Sequence, residues 1–327
     1  MHCYNVRMVM YVLFVLGIFF LIKGADYLID GASSIAKKLG VPTLVIGLTI
    51  VAFGTSTPEL IVSVMAAIRQ VGDVAFGNVV GSNIANILLI LGISAIIGNL
   101  KVQHSTTWKE IPFSLLAAAA LLVFSVAHKI DGLGQMIYRF EGMILLLFFL
   151  IFMYYVIEMA HRNKGHMEDK DMKVKLHSPI ISWSMISVGL IGLYFGGRWV
   201  VEGATFIAQQ WGLSQLLISS TVVAIGTSLP ELVTSIVATR KGDVDLAIGS
   251  VVGSNIFNIL WILGVSALIY PIQLPNSAIV DVFFLFVATA LLFASMFMGK
   301  RHELERWQGI IFVTSYIVYL TFLIWRG

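Results

Sequence analysis

Val51-Ala-Phe-Gly-Thr-Ser-Thr-Pro-Glu-Leu60 returns as Val223-Ala-Ile-Gly-Thr-Ser-Leu-Pro-Glu-Leu232, and Val79-Val-Gly-Ser-Asn-Ile-Ala-Asn-Ile-Leu88 returns as Val251-Val-Gly-Ser-Asn-Ile-Phe-Asn-Ile-Leu260. Both pairs stand at the same offset, 172 residues (223 less 51, 251 less 79), so no gap separates the two blocks. About thirty of roughly fifty positions across this stretch are identical, far more than shared hydrophobicity produces, and the chain reads as an internal duplication. Weaker matches extend it: Gly24, Asp30, Gly31 and Ala32 align with Gly196, Glu202, Gly203 and Ala204, and Arg139-Phe-Glu-Gly142 echoes Arg306-Trp-Gln-Gly309.

The repeated blocks lie inside long apolar runs. The 327 residues are 58% hydrophobic and 12% charged, with a mean hydropathy of +0.91, whereas a soluble domain devotes about a quarter of its residues to charge. The runs are of the length that spans a ~30 Å hydrocarbon core as helix and lack the strict alternation of a barrel strand. They fall near residues 8–29, 41–68, 74–98, 111–128, 137–160, 180–202, 213–239, 244–270, 278–298 and 307–325. The expectation is an all-α integral membrane protein with ten transmembrane helices. Each copy of the repeat then holds five, and an odd count makes the second copy enter the membrane from the opposite side. The fold expected is therefore two inverted-topology five-helix repeats, residues 1–160 and 180–327, joined by the charged segment 161–179.

Positive charge orients this arrangement. Lys37, Lys38, Lys101, Lys109, the five basic residues of 162–175, Arg240, Lys241, Lys300, Arg301 and Arg306 collect on one face; Arg7, Arg69, Lys129, Arg139, Arg198 and Arg326 lie on the other. The positive-inside rule puts both termini outside the cytoplasm and the 161–179 linker within it, in a plasma-membrane protein. The first run is too long for a signal-peptide core and is read as a helix of the mature protein. The single Cys3 builds neither a disulfide framework nor a thiolate metal site. No dense basic patch points to nucleic acid. The mixed-charge linker with its histidines reads as solvated loop rather than metal site.

Each Gly-Thr-Ser-x-Pro-Glu block sets a carboxylate, Glu59 or Glu231, deep in an apolar run. That costs at least about 2.5–3.5 kcal/mol unless an ion, a proton or a partner answers it. Pro58 and Pro230 lack an N–H and disturb the preceding turn, so carbonyls near Ala52, Thr55, Ala224 and Thr227 are expected to be freed. Carbonyls, Thr and Ser hydroxyls and carboxylates form an all-oxygen shell suited to Ca²⁺ or Na⁺, not to Zn²⁺ or Cu²⁺. In the second block Ser82 and Asn86, and likewise Ser254 and Asn258, are four apart on one helical face and are read as further ligands. Gly77, Gly81, Gly249 and Gly253 are read as close-packing positions. Inverted repeats supply a symmetric midplane site that opens to either side in turn, which makes transport the leading class. Two carboxylates able to hold one Ca²⁺, or release it to smaller cations, suit an exchanger, and protons should compete with Ca²⁺ in acid.

The paired motifs resemble the α-repeats of the cation/calcium antiporter superfamily, specifically prokaryotic sodium/calcium exchangers, and the resemblance covers essentially the whole chain. It implies antiport of several Na⁺ against one Ca²⁺ by alternating access, with no cofactor, no obligatory protein partner and no covalent step, hence no enzyme. It implies that Glu59 and Glu231 ligate Ca²⁺ with the Thr55 and Thr227 carbonyls. Ser56, Ser82, Ser228, Ser254 and the Ala52 and Ala224 carbonyls would form flanking Na⁺ sites. The first and sixth helices would slide over the rest, with Gly17, Gly24, Gly189, Gly192, Gly196 and Gly197 permitting sliding or simple close packing. Asparagine at both 86 and 258, where the potassium-dependent branch has an aspartate at the second, argues for K⁺ independence. A Ca²⁺/H⁺ exchanger using the same glutamates, and in other classes a cation channel or a membrane enzyme, are the competing readings.

Overall fold

The computed structural model describes residues 2–130, 136–162, 175–211, 226–275 and 277–326. Eleven helices carry the described chain: α1 His2–Leu39, α2 Thr43–Thr55, α3 Thr57–Ile68, α4 Gly72–Ile97, α5 Thr106–Ala127, α6 Arg139–Arg162, α7 Pro179–Gln210, α8 Leu229–Arg240, α9 Val244–Ile269, α10 Ala278–Ser295 and α11 Arg306–Arg326. Eight of them are long and apolar enough to cross a membrane, and the bent pair α2–α3 makes a ninth span. The outer faces of α6 and α11 present Leu147, Leu150, Ile310 and Ile317, as contact with lipid requires. Residues 213–225 of the expected seventh run, Ala224 among them, and 163–174 of the linker lie outside the described residues.

Two expectations change. The first run does not end at 29: α1 continues to Leu39, because Gly31 lies so close to Ser182 that a Cβ would stand 2.7 Å from its carbonyl, so α7 carries the helix onward. It stops at Gly40, whose φ of 65° only glycine adopts freely, with Val41 N–H bonded back to the Ala36 carbonyl at 3.0 Å. That is the glycine-ended helix terminus, followed by Pro42. Asp30 and Asp26 therefore sit about two and a half and three and a half turns inside the helix. The run 41–68 is likewise not one straight helix but bends by 49° at Ser56, where Pro58, with no N–H, cannot continue the ladder.

Helices α1 and α7 pack antiparallel along their whole lengths. Gly17 meets Gly196 and Gly24 meets Gly189, each so tightly that an added Cβ would lie 2.7–2.8 Å from a backbone oxygen of the partner. Small residues at such spacing let two helix backbones approach in lipid. Their apolar residues (Leu21, Ala25, Leu28, Leu193) form one cluster with Val51 of α2, Ala238 of α8 and Leu246 of α9, beside the main core (Leu48, Val79, Ile84, Val251, Ile256). In that core α9 crosses α2: Gly249 and Gly253 abut Leu44, Leu48 and Ala52 at distances no Cβ tolerates. Gly77 and Gly81 meet nothing among the described residues; the counterparts of Leu44 and Leu48 at this offset are Leu216 and Ser220, which lie outside them.

Short strand pairings sort the loops. Leu100 and Lys101 pair with Leu304 and Glu303, Asn99 donates to Glu303 at 2.8 Å and Gln103 to Asp245 at 2.6 Å, and Ser33 and Thr43 both donate to Asp243. These contacts gather the loops bearing Lys37, Lys38, Lys101, Lys241, Lys300 and Arg301 at one end. At the other, Met136 and Ile137 pair with Gln273 and Ile272, and Arg326 pairs with Asp281 at 2.8 Å.

Asp243, buried just before α9, ties three elements together. Its carboxylate accepts from Ser33 Oγ and Thr43 Oγ1 at 2.9 Å each and caps α9 through Leu246 N at 3.1 Å. Burial nonetheless pushes this carboxyl above the usual aspartate range, outweighing those three hydrogen bonds. The folded chain thus holds its proton more tightly than the unfolded chain, so the contribution of Asp243 to stability declines as pH rises from the ordinary aspartate value to the folded one. Asp243→Ala leaves three donors unanswered and is expected to lower stability by about 2 kcal/mol. Asp243→Asn should retain most of it while flattening that pH dependence. Thermal unfolding in detergent across pH 4–7 measures both.

Candidate cation site

Two equivalent helix starts build the site. At Ser56 (φ −82°, ψ 8°) and Ser228 (φ −88°, ψ 7°) the backbone leaves helical geometry identically, and Pro58 and Pro230 open the helices that follow. Glutamate then falls in the first turn of each, Glu59 in α3 and Glu231 in α8, where the helix N-terminus favours negative charge. Asn78 holds the α3 start in place by donating to the Glu59 carbonyl at 3.1 Å and to Ser63 at 2.9 Å.

The two halves exchange ligands. Ser56 donates to Glu231 Oε1 at 3.0 Å, and Thr55 and Ser254 also adjoin that carboxylate. Reciprocally, the Glu59 carboxylate faces the Thr227 and Ser228 side chains and stands near enough to Glu231 for the two charges to interact. The α4 and α9 residues close the ring: Asn258 donates to Ser82 Oγ at 3.1 Å and Asn86 to Asn255 Oδ1 at 3.0 Å. Thr55, Ser56, Glu59, Ser82, Asn86, Ser228, Glu231, Ser254 and Asn258 are all buried, and Thr227 is half-buried.

What remains unanswered is oxygen. Both carboxylate oxygens of Glu59, Oε2 of Glu231, Oγ of Ser228 and Ser254, and Oδ1 of Asn86 and Asn258 are buried with no hydrogen-bond partner among the described residues. Buried acceptors without donors are costly, and the group that satisfies many at once is a hard cation. The Ala52 carbonyl is not stripped of its donor: it accepts from Ser56 N at 3.0 Å and from Thr55 Oγ1 at 3.3 Å. The single Thr55 hydroxyl proton is closer to the Val51 carbonyl, at 3.0 Å, so an ion at Ala52 would take the place of the longer Thr55 contact.

Three asparagines outside the expected ligand set also shape the site. Asn78 positions α3, Asn255 orients Asn86, and Asn83 carries a further buried, unpartnered Oδ1. The signal was present, since Asn83 and Asn255 both belong to the repeated Gly-Ser-Asn. Nor are Glu59 and Glu231 the only deep carboxyls: Glu110 in α5 is fully buried and accepts a short hydrogen bond from Tyr155 of α6. It lies outside the repeated blocks, so duplication gave no notice of it.

A pair of buried carboxylates in an oxygen-lined site, set among apolar spans, defines a membrane protein that carries cations. The chain belongs to the sodium/calcium exchanger protein family, which it matches over residues 9–158 and 181–325. It is 33% identical over 343 residues to the sodium/calcium exchanger MaX1 of Methanosarcina acetivorans, covering 96% of this chain and 98% of that one. It is 33% identical over 320 residues to the inner membrane protein YrbG of Escherichia coli, covering 96% of each. A solved structure of the sodium-calcium exchanger NCX_Mj, soaked with Na⁺ and Sr²⁺, superimposes with a TM-score of 0.82 at 31% identity, covering 96% of this chain and 98% of that one. The protein is thus a multi-pass helical membrane transporter that exchanges cations, Ca²⁺ among them.

Proposed function

We propose that this chain exchanges Na⁺ for Ca²⁺ by alternating access, expelling Ca²⁺ as Na⁺ enters, without need of K⁺. The observation that carries the reading is the facing pair Glu59 and Glu231, with Ser56 of the first half bonded to Glu231 of the second, and both Glu59 oxygens and most of the surrounding buried oxygens lacking a donor. One Ca²⁺ neutralises both carboxylates. Na⁺ ions replacing it neutralise them again, so neither loaded form leaves bare charge in the membrane interior.

In this reading Glu59 and Glu231, with Thr55 and Thr227, hold Ca²⁺. Ser56, Ser82, Ser228, Ser254, Ala52 and Ala224 supply Na⁺ sites, and Asn86 and Asn258 complete the wall without adding the acidic group associated with K⁺. The chain comprises ten spans in two inverted halves, 1–160 and 180–327, with the 161–179 linker cytoplasmic and both termini outside. The close glycine contacts that join α1 to α7, Gly17 with Gly196 and Gly24 with Gly189, support their movement as a pair over the remaining helices.

Reconstituted in Na⁺-loaded liposomes, the protein should drive ⁴⁵Ca²⁺ uptake that vanishes when external Na⁺ equals internal Na⁺ and is indifferent to K⁺. Uptake driven by a pH gradient alone would assign the same glutamates to Ca²⁺/H⁺ exchange instead.

A further inference from the structure

A groove of about 770 Å³ runs along the outer face of the α1–α7 crossing. Its walls are apolar over most of their length, formed by Phe20, Ile191, Phe195 and Trp199. One end is charged. There Lys241, arriving from the end of α8, bonds to Asp30 at 2.7 Å and to Asp26 at 3.3 Å, and Lys23 stands 3.7 Å from Asp26. Two cations and two anions sum to zero, and their side chains remain 31–54% exposed.

The depth of these charges follows from the packing. Gly17 against Gly196 and Gly24 against Gly189 pair residue n of α1 with residue 213 minus n of α7 (17 + 196 = 24 + 189). The repeat matches n with n + 172. Both relations are met at one level, near residues 20 and 21 of α1 and 192 and 193 of α7. At 1.5 Å per residue Asp30 lies about 14 Å from that level along the helix and Lys23 about 4 Å. The Asp30–Lys241 end therefore coincides with the edge of a ~30 Å hydrocarbon core, and the apolar groove runs inward from it past the midplane. Trp199 closes the far end about 10 Å beyond.

The other half carries a different charge set. At the positions equivalent to Lys23, Asp26, Asp30 and Lys241 stand Phe195, Arg198, Glu202 and Arg69, and Arg198 pairs with Glu202 on its own helix at 2.7 Å. The charged groove thus faces the leaflet on the side of Lys37 and Lys38.

We propose that this groove is a binding site for a phospholipid with a phosphoethanolamine headgroup. The phosphate meets the Lys23 and Lys241 ammonium groups. The primary ammonium, with three donors, meets Asp26 and Asp30, and one acyl chain lies along Phe20, Ile191 and Phe195. A quaternary choline has no donor for the two aspartates, and a phosphoglycerol headgroup brings no cation to them. The site does not depend on the ions carried, because lipid retention is read without transport.

Native mass spectrometry of the delipidated full chain, titrated with phosphatidylethanolamine, phosphatidylcholine and phosphatidylglycerol of identical chains, tests it. Phosphatidylethanolamine should bind roughly tenfold more tightly than either, the worth of one charge-assisted hydrogen bond. Ile191→Trp, which fills the groove, should erase the preference, and so should Asp26→Asn with Asp30→Asn. Equal retention of all three lipids, a preference for phosphatidylglycerol, or a lipid-free dimer burying this face would each overturn the proposal. The wild-type titration decides the matter even where a variant fails to fold.

Discussion

Glu59→Gln and, separately, Glu231→Gln should each cut Ca²⁺ flux by on the order of a hundredfold, the equivalent of losing about 3 kcal/mol of charged contact to the ion. Glutamine keeps the size and one carbonyl oxygen of glutamate, so the loss reflects charge and not shape. The stability readout should move the other way. Two buried carboxylates repel each other in ion-free detergent, and removing one charge relieves both that repulsion and its burial cost. The variants should therefore unfold at or above the wild-type temperature in chelator, yet gain nothing from added Ca²⁺, which stabilises a native state only as far as it binds it. Either single variant transporting at the wild-type rate would sink the shared-site model, because Ser56 already joins the halves through Glu231.

Gly196→Ala and Gly197→Ala should differ sharply although the residues are neighbours. A Cβ on Gly196 would lie 2.8 Å from the Gly17 carbonyl oxygen and 2.8 Å from Leu21 N, both backbone atoms that cannot turn aside. The α1–α7 pair must then part, at a cost of about 3 kcal/mol. A Cβ on Gly197 would meet nothing closer than Pro230 Cδ at 3.7 Å, and alanine's better helix propensity is worth up to about 1 kcal/mol there. The first variant should lose several degrees of thermal stability and most of its flux; the second should keep both. Equal behaviour of the two would mean that the α1–α7 contact does not limit the fold.

Much of this is legible in the linear chain. The duplication, the membrane class and the two deep glutamates are properties of the linear chain, because a repeat is read by sliding the sequence on itself and a buried charge in a long apolar run is costly wherever the run packs. The bend at Ser56 was half visible: Pro58 marked the disturbance, but the continuous apolar run from 41 to 68 concealed that the helix changes direction. The length of α1 is hidden in the sequence because the apolar run ends at 29, just before Asp30, Ser33 and Ser34. In the fold these residues face Lys241, Asp243 and Ser182 instead.

Periodicity and composition say which residues stand on one face of one helix, and on those grounds alone the chain determined a duplicated membrane bundle with an acidic residue deep in each copy. They are silent on which face meets which. Only the crossing of α9 over α2, made possible by glycines whose Cβ atoms would collide with the opposing backbone, decided that Glu231 is met by the Ser56 hydroxyl of the other half. The same crossing decided that Asn255 orients Asn86. Local sequence sets the helices and their depth; the identity of the neighbour at van der Waals distance depends on how two whole surfaces interlock, and that is a property of the folded chain.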